Sequence, residues 1–137
     1  MVVADTNASA AADVVGALPR SHDQQQHFAV AGNVASEQDV LTMFDAVDKR
    51  FGRLNIAVNS AGITRDGRFL NMSVKDFDDV VGVNLRGTFL VAQRAAALMI
   101  KAGVTNGSII NISSIVAKTG NFGQTNYSAA KGGRTRH

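Results

Sequence analysis

The stretch GSIINISSIVAKTGNFGQTNYSAAKGG, Gly107 to Gly133, decides how the rest of the chain is read. Ser108 to Ile112 is a short apolar run leaving a turn at Gly103 to Gly107, which predicts a buried strand. A glycine-containing loop follows, and a helix is predicted from near Thr125. That helix carries the only tyrosine of the sequence, Tyr127, with Lys131 four residues further on. At this spacing two side chains share one helical face, about 5–6 Å apart at Cβ. A free phenol titrates at about pH 10 and is a poor base near neutrality. An ammonium ion beside it favours the phenolate and suits it better to carbonyl–alcohol proton transfer. Most tyrosine–lysine pairs on helices are only surface neighbours, so the pair draws its meaning from what surrounds it.

Upstream, short apolar runs alternate with longer amphipathic ones, the pattern of strand–helix repeats around a parallel sheet. Met1 to Ala4 reads as a strand, and Ala8 to Leu18 as a helix stopped ahead of Pro19, which disfavours helical geometry in its predecessor. His27 to Gly32 reads as a second strand. Ser36, with Asp39 at the reciprocal position, opens a helix that runs to about Phe51 and ends at Gly52. Leu54 to Val58 reads as a third strand and Ser60 to Arg68 as a loop. Ser73 caps the next helix, with Asp76 at its third position. Leu85, Phe89, Ala92, Ala96 and Met99 then recur at helical spacing and predict one buried face.

Candidate functional residues cluster where these strands end. Ser113 and Ser114 leave the strand SIINI at its C-terminal end, where ligands bind in open parallel sheets. Either serine could hold a substrate oxygen toward Tyr127 or merely exit the strand, and for Ser113 the second reading is preferred. Asn84, in VVGVNLRG, interrupts an apolar helix, a poor place for asparagine. It is a solvent-facing residue, a kink, or a polar link through water to the lysine. Asp5 ends the first strand; in a dinucleotide fold an acid here accepts from the adenosine ribose and repels a 2′-phosphate, and otherwise it is a turn or capping residue. Asn33 and Val34 end the next strand, where an amide oxygen and an apolar side chain could meet adenine. Asn59-Ser60-Ala61-Gly62 ends the third, its small residues allowing close backbone approach to a cofactor.

Composition excludes several classes. The 137 residues contain no cysteine, so there is no disulfide framework, thiol nucleophile or Cys-based metal site. No apolar run is long enough to span a membrane. The net charge of +3 is spread out, with Lys49, Arg50 and Arg53 its densest group before the tail, and forms no basic stripe with interleaved aromatics for nucleic acid. His22, His27 and His137 have no metal-ligand spacing with another ligand.

Taken together, NxAG at Asn59 to Gly62, VNLRG around Asn84, Ser114 thirteen residues before Tyr127, and YxxxK closely resemble the short-chain dehydrogenase/reductase family. The likeness runs from Val2 to Gly133 and is greatest to the 3-oxoacyl-[acyl-carrier-protein] reductase branch, within it to the animal 17-beta-hydroxysteroid dehydrogenase type 8 subgroup. The resemblance implies that Tyr127 is the acid/base, that Ser114 orients the substrate carbonyl, and that Lys131 binds the nicotinamide ribose and favours the Tyr127 phenolate. It implies that Asn84 completes a proton relay through water. Asp5 and Thr6 fall at the ribose position, Asn33 and Val34 at the adenine position, and Asn59, Ala61 and Gly62 in the loop beside the cofactor. The implied cofactor is NAD in preference to NADP, and the substrate a small carbonyl compound or acyl thioester. Full-length relatives of this kind form homo- or hetero-tetramers, and the subgroup implies the mitochondrial matrix, a cytoplasmic location being the alternative. Two positions depart from the family pattern: Asn33 stands where aspartate is usual, and Ser60 where a second asparagine is.

A ribose acid lies about 20 residues after the glycine-rich phosphate loop. Here four residues precede Asp5, and no TGxxxGxG-like segment occurs. The expectation is therefore the middle of a reductase: residues 1–133 as a partial nucleotide-binding domain and 134–137 as a non-family tail. The fold class is α/β, a partial Rossmann-type doubly wound parallel sheet lacking the first strand and the C-terminal strands. In the order 3-2-1-4-5-6 the first strand is central. The remaining strands should then form two pairs, which either slide together or leave an apolar seam open. The competing functional reading is a non-catalytic product that associates with full-length subunits.

Overall fold

The structure, a computed structural model, describes residues 1–133; the expected tail at 134–137 lies outside the described residues. Strands and helices alternate as the hydrophobic pattern requires. Strand β1 (Val2–Asp5) is followed by helix α1 (Ala8–Ala17), β2 (Phe28–Ala31), α2 (Glu37–Phe51) and β3 (Ile56–Asn59). A single 3-10 turn at Phe69–Asn71 precedes α3 (Val74–Val81). Then come α4 (Thr88–Lys101), β4 (Ser108–Asn111), a short α5 (Val116–Thr119) and α6 (Thr125–Gly133).

Capping residues set the helix ends. Ser36 Oγ accepts from Asp39 N at 3.2 Å and donates to Asp39 Oδ1 at 2.8 Å. Asp39 Oδ2 reaches further back, to Asn33 N at 2.9 Å, so one carboxylate ties the exit of β2 to the first turn of α2. Gly52 stops α2 with φ of 64°, a left-handed conformation that costs glycine no Cβ clash. Ser73 and Asp76 repeat the reciprocal cap on α3.

The strands form two separate parallel pairs, β1 with β2 and β3 with β4. The expected gap is present. Between the pairs runs an apolar cleft of about 180 Å³, lined by Val2 and Ala4 of β1, Ile56 and Val58 of β3, and Met43 and Val91 of the helices beneath. One face of the second pair is also bare: Ile56 is 60% and Val58 56% exposed, with Ile110 and Ile112 beside them. The closest packing lies instead where α2 meets α4, around Val40, Met43 and Leu90 with Val30, Val34, Phe44 and Val91 against them.

Helix α4 corrects the face assigned from sequence. Phe89 is 51% exposed, and Leu85, Ala92 and Ala96 are only half-buried; of the five residues only Met99 is fully buried. The buried stripe lies one residue earlier, through Asn84, Thr88, Ala95 and Leu98, with Val91 half-buried among them. One residue turns a helix by about 100°, so the error exchanges neighbouring faces. Asn84 and Thr88 are polar, and an apolar count passes over them. The entry to α4 is moreover a π-helical turn, Gly82–Gly87, a form found mostly as single turns at functional sites. It brings Gly87 against β2's exit: a Cβ there would stand 2.8 Å from Val34 Cγ2 and 3.1 Å from Val34 O, so only glycine fits.

Candidate active site

The site assembles where β3 and β4 end. Asn59, the last residue of β3, is 6% exposed, and its Nδ2 donates to Oδ1 of Asn111 at 2.8 Å, locking the two strand ends level. The chain leaving β3 then passes through Ser60, Ala61 and Gly62, the first two of which also line the cleft. At Ile63 it is clamped from outside: Asn84 Oδ1 accepts from Ile63 N at 2.8 Å, and Asn84 Nδ2 donates to Ile63 O at 2.9 Å. Asn84 is wholly buried, which rules out its solvent-facing reading. Thr88 Oγ1 in turn donates to Asn84 O at 2.8 Å.

Lys131 arrives from the other side. Its side chain is almost fully buried, and Nζ donates to Ile112 O, just past β4, at 2.9 Å. A Cβ on Gly62 would lie 3.2 Å from Asn84 Oδ1 and 3.7 Å from Lys131 Nζ, so both groups border the space beside Gly62. The Tyr127 ring, half-buried, has its centroid 5.5 Å from Lys131 Nζ, the helical i,i+4 neighbourhood the spacing requires. Ser113 Oγ donates to Lys131 O at 3.0 Å and so fastens α6 to the strand end, a structural role. Ser114 Oγ accepts from Val116 N at 3.3 Å, where α5 begins, and α5 packs on α6. Asn84, Gly62, Lys131 and Tyr127 thus gather around one polar spot, with Ser114 just ahead of α5, the helix that lies against α6.

The cofactor-binding candidates on the first strand pair stand apart from this spot. Asp5 is exposed; its Oδ1 accepts from Asn7 N at 2.8 Å and Thr6 Oγ1 at 3.4 Å, shaping the turn into α1, whose cap is Asn7. Asn33 Oδ1 accepts from Ala35 N at 2.9 Å, so the amide oxygen is engaged in its own turn, and Val34 packs against Gly87 and the core. The exposed carboxylate of Asp5 and the ammonium of Lys131 are groups whose chemistry fits hydroxyls of a dinucleotide. No glycine loop for the diphosphate occurs in the 137 residues.

Sequence reasoning missed Asn126, wholly buried beside Tyr127, and the α5 turn. An asparagine inside a helix is the same signal that flagged Asn84. Among the described residues no group of three or more acidic or histidine side chains gathers to hold a metal, and no helix is long and apolar enough to cross a membrane.

An α/β fold with parallel strand pairs, and a tyrosine–lysine helix tied to the end of one of them, places the chain in the Rossmann-like class. The sequence profile of the short chain dehydrogenase family matches residues 1–136, and the chain belongs to that family. It is 44% identical over 135 residues to "(3R)-3-hydroxyacyl-CoA dehydrogenase" of Rattus norvegicus, covering 94% of this chain and 52% of that one. It is 47% identical over 108 residues to the protein of the same name from Homo sapiens, covering 78% and 41%. Against "3-oxoacyl-[acyl-carrier-protein] reductase FabG" of Thermotoga maritima it is 45% identical over 101 residues, covering 74% and 40%. The chain spans about half the length, or less, of the curated relatives it matches.

Proposed function

We propose that this chain is the central part of an NAD-dependent reductase that interconverts a 3-oxoacyl and a 3-hydroxyacyl thioester. The observation that carries the proposal is the buried Lys131, held by Ile112 O, set beside the Tyr127 ring and bordering, with Asn84, the space at Gly62. In the reducing direction the Tyr127 hydroxyl gives its proton to the carbonyl oxygen, which Ser114 holds by a donated hydrogen bond. Lys131 keeps a positive charge beside the phenol and would hold the nicotinamide ribose of a bound cofactor by a hydrogen bond. Asn84 fixes the loop at Ile63, which would border a bound cofactor, and lies near the lysine, where it can join a water-borne proton relay. The nicotinamide, when bound, supplies or accepts the hydride. Asp5 selects NAD, because a carboxylate facing a 2′-phosphate meets like charge and loses its ribose hydrogen bond.

Replacing the matched segment of the rat relative with residues 1–133 gives a chimera in which the reading is tested directly. It should oxidise NADH with a short 3-oxoacyl thioester, and Tyr127→Phe should lower kcat by about 10²-fold or more. Equal turnover in the Tyr127→Phe chimera overturns the assignment. Asp5→Ala should narrow the preference for NAD, and an unchanged ratio of kcat/KM for NAD and NADP removes Asp5 from it.

The open cleft and the bare Ile56–Val58 face favour a second reading, in which this chain joins longer subunits without turning over substrate. Co-purification with an intact reductase, without a gain in activity per active site, is the result that separates it from the first.

A further inference from the structure

We infer that Asn126 is a positioning residue for Tyr127, an assignment that rests on Tyr127 being the proton-transferring group. Asn126 is completely buried, and both its amide hydrogens and its carbonyl oxygen are engaged with three backbone segments. Its two Nδ2 hydrogens go to Arg65 O at 2.9 Å, in the loop after β3, and to Asp76 O at 3.2 Å, in the first turn of α3. Its Oδ1 accepts from Tyr127 N at 2.8 Å. That N–H lies in the first turn of α6, where backbone donors have no partner within the helix.

The two ends of α6 are secured differently. At Lys131 the helix is fixed to the β4 exit by Ser113 Oγ and by the lysine's own bond to Ile112 O. At Tyr127 the buried anchor is Asn126, supplemented near the surface by Gly67 N to Gly123 O at 2.9 Å and Gln124 Nε2 to Asp66 Oδ2 at 3.0 Å. Removing the Asn126 amide frees the tyrosine end while the lysine end stays fixed. The phenol then loses its set distance from the ammonium, although neither residue has changed. Proton transfer is sensitive to such displacement, and a shift of about 1 Å costs on the order of 10²-fold.

The sequence has one tyrosine and no tryptophan, so the tyrosine band of the near-ultraviolet circular dichroism reports Tyr127 alone. In the 137-residue chain, Asn126→Ala should weaken that band about twofold or more. It should also speed hydrogen exchange at the Tyr127 amide about tenfold, the loss of one buried hydrogen bond. Leu98→Ala serves as a control that destabilises the fold away from α6 and should leave both readouts unchanged under folding conditions. Asn126→Asp keeps the acceptor and loses both donors at neutral pH; on acidification the introduced carboxyl regains one donor and should recover part of the band. If Asn126→Ala does not fold, Asn126→Ser, which keeps one hydroxyl, carries the same comparison. An undiminished band and unchanged exchange in the folded variants overturn the inference, and so does an equal loss in Leu98→Ala. In the chimera, Asn126→Ala should lower kcat with little change in KM. A chimera indifferent to Tyr127→Phe refutes the oxidoreductase reading while leaving the spectroscopic result standing, so the two failures are distinct.

Discussion

Replacing Asn84 with alanine tests the part of the site that sequence alone reads least securely. The amide makes two hydrogen bonds of 2.8 and 2.9 Å with the backbone of Ile63, from a side chain with no solvent exposure. Truncation leaves the Ile63 N–H and C=O without partners, and an unsatisfied buried polar group costs about 1–3 kcal/mol. Ile63 is itself only half-buried, so water reaches part of the exposed pair and the lower half of that range applies to each group. The expected loss is about 2–4 kcal/mol, a large share of a folding stability of roughly 5–15 kcal/mol. For a chain of this size the midpoint should fall by about 3–4 °C per kcal/mol, or roughly 10 °C. Urea unfolding followed by far-ultraviolet circular dichroism measures the difference directly. Asn84→Asp should be worse at neutral pH, since it sets a buried carboxylate oxygen against Ile63 O, and should improve on acidification. Lys75→Ala, which removes the exposed pair with Asp79, should cost no more than about 0.5 kcal/mol. An Asn84→Ala loss as small as that of Lys75→Ala would refute the clamp.

Three further outcomes are expected. Gly87→Ala places a methyl 2.8 Å from Val34 Cγ2 and close to Val34 O, and should destabilise by about 1–3 kcal/mol in the same unfolding assay. The hydrogen bonds from Asn33 N and Ser36 hold the Asp39 carboxyl below the ordinary carboxylate range. Its contribution is therefore complete above the unfolded value of about 3.9 and is lost as pH falls through the folded one, so the stability gap between the parent and Asp39→Asn should shrink below about pH 4; a gap independent of pH counts against it. The 137-residue chain alone should oxidise NADH with a 3-oxoacyl thioester poorly and bind NAD weakly, because a diphosphate without a glycine loop or helix N-terminus loses its main anchor; micromolar affinity with robust turnover would show that another site holds it.

What the sequence made legible and what it hid divide along a physical line. Strand–helix alternation, the Ser36 and Ser73 caps and the stop at Gly52 depend on neighbours in the chain, and all were readable. The open seam was readable too, since strand order follows from topology. The buried face of α4 was misread because its first two members, Asn84 and Thr88, are polar and bond to backbone rather than pack against apolar groups. Asn126 went unnoticed for the same reason: its partners are carbonyls at Arg65 and Asp76, distant in sequence and carrying no side-chain signature.

These asparagines share a purpose that explains their cost. The segment from Ser60 to Arg65 leaves β3 with small residues at Ala61 and Gly62, so it has little side-chain surface with which to hold itself in place. It is instead held by amides reaching in from other elements: Asn111 through Asn59 at its root, Asn84 at Ile63, and Asn126 at Arg65. Each disfavours the helix or strand that carries it relative to a better former. Each also meets its backbone partner at a fixed distance, which dispersion contacts between aliphatic groups do not impose. A loop with so little side chain cannot fix itself by packing, and polar clamps from its flanks are the remaining way to hold it. Lys131 approaches the loop so held at Gly62, and Tyr127 is tied to it through Asn126, which is why the residues that order this region lie on elements far apart in the sequence.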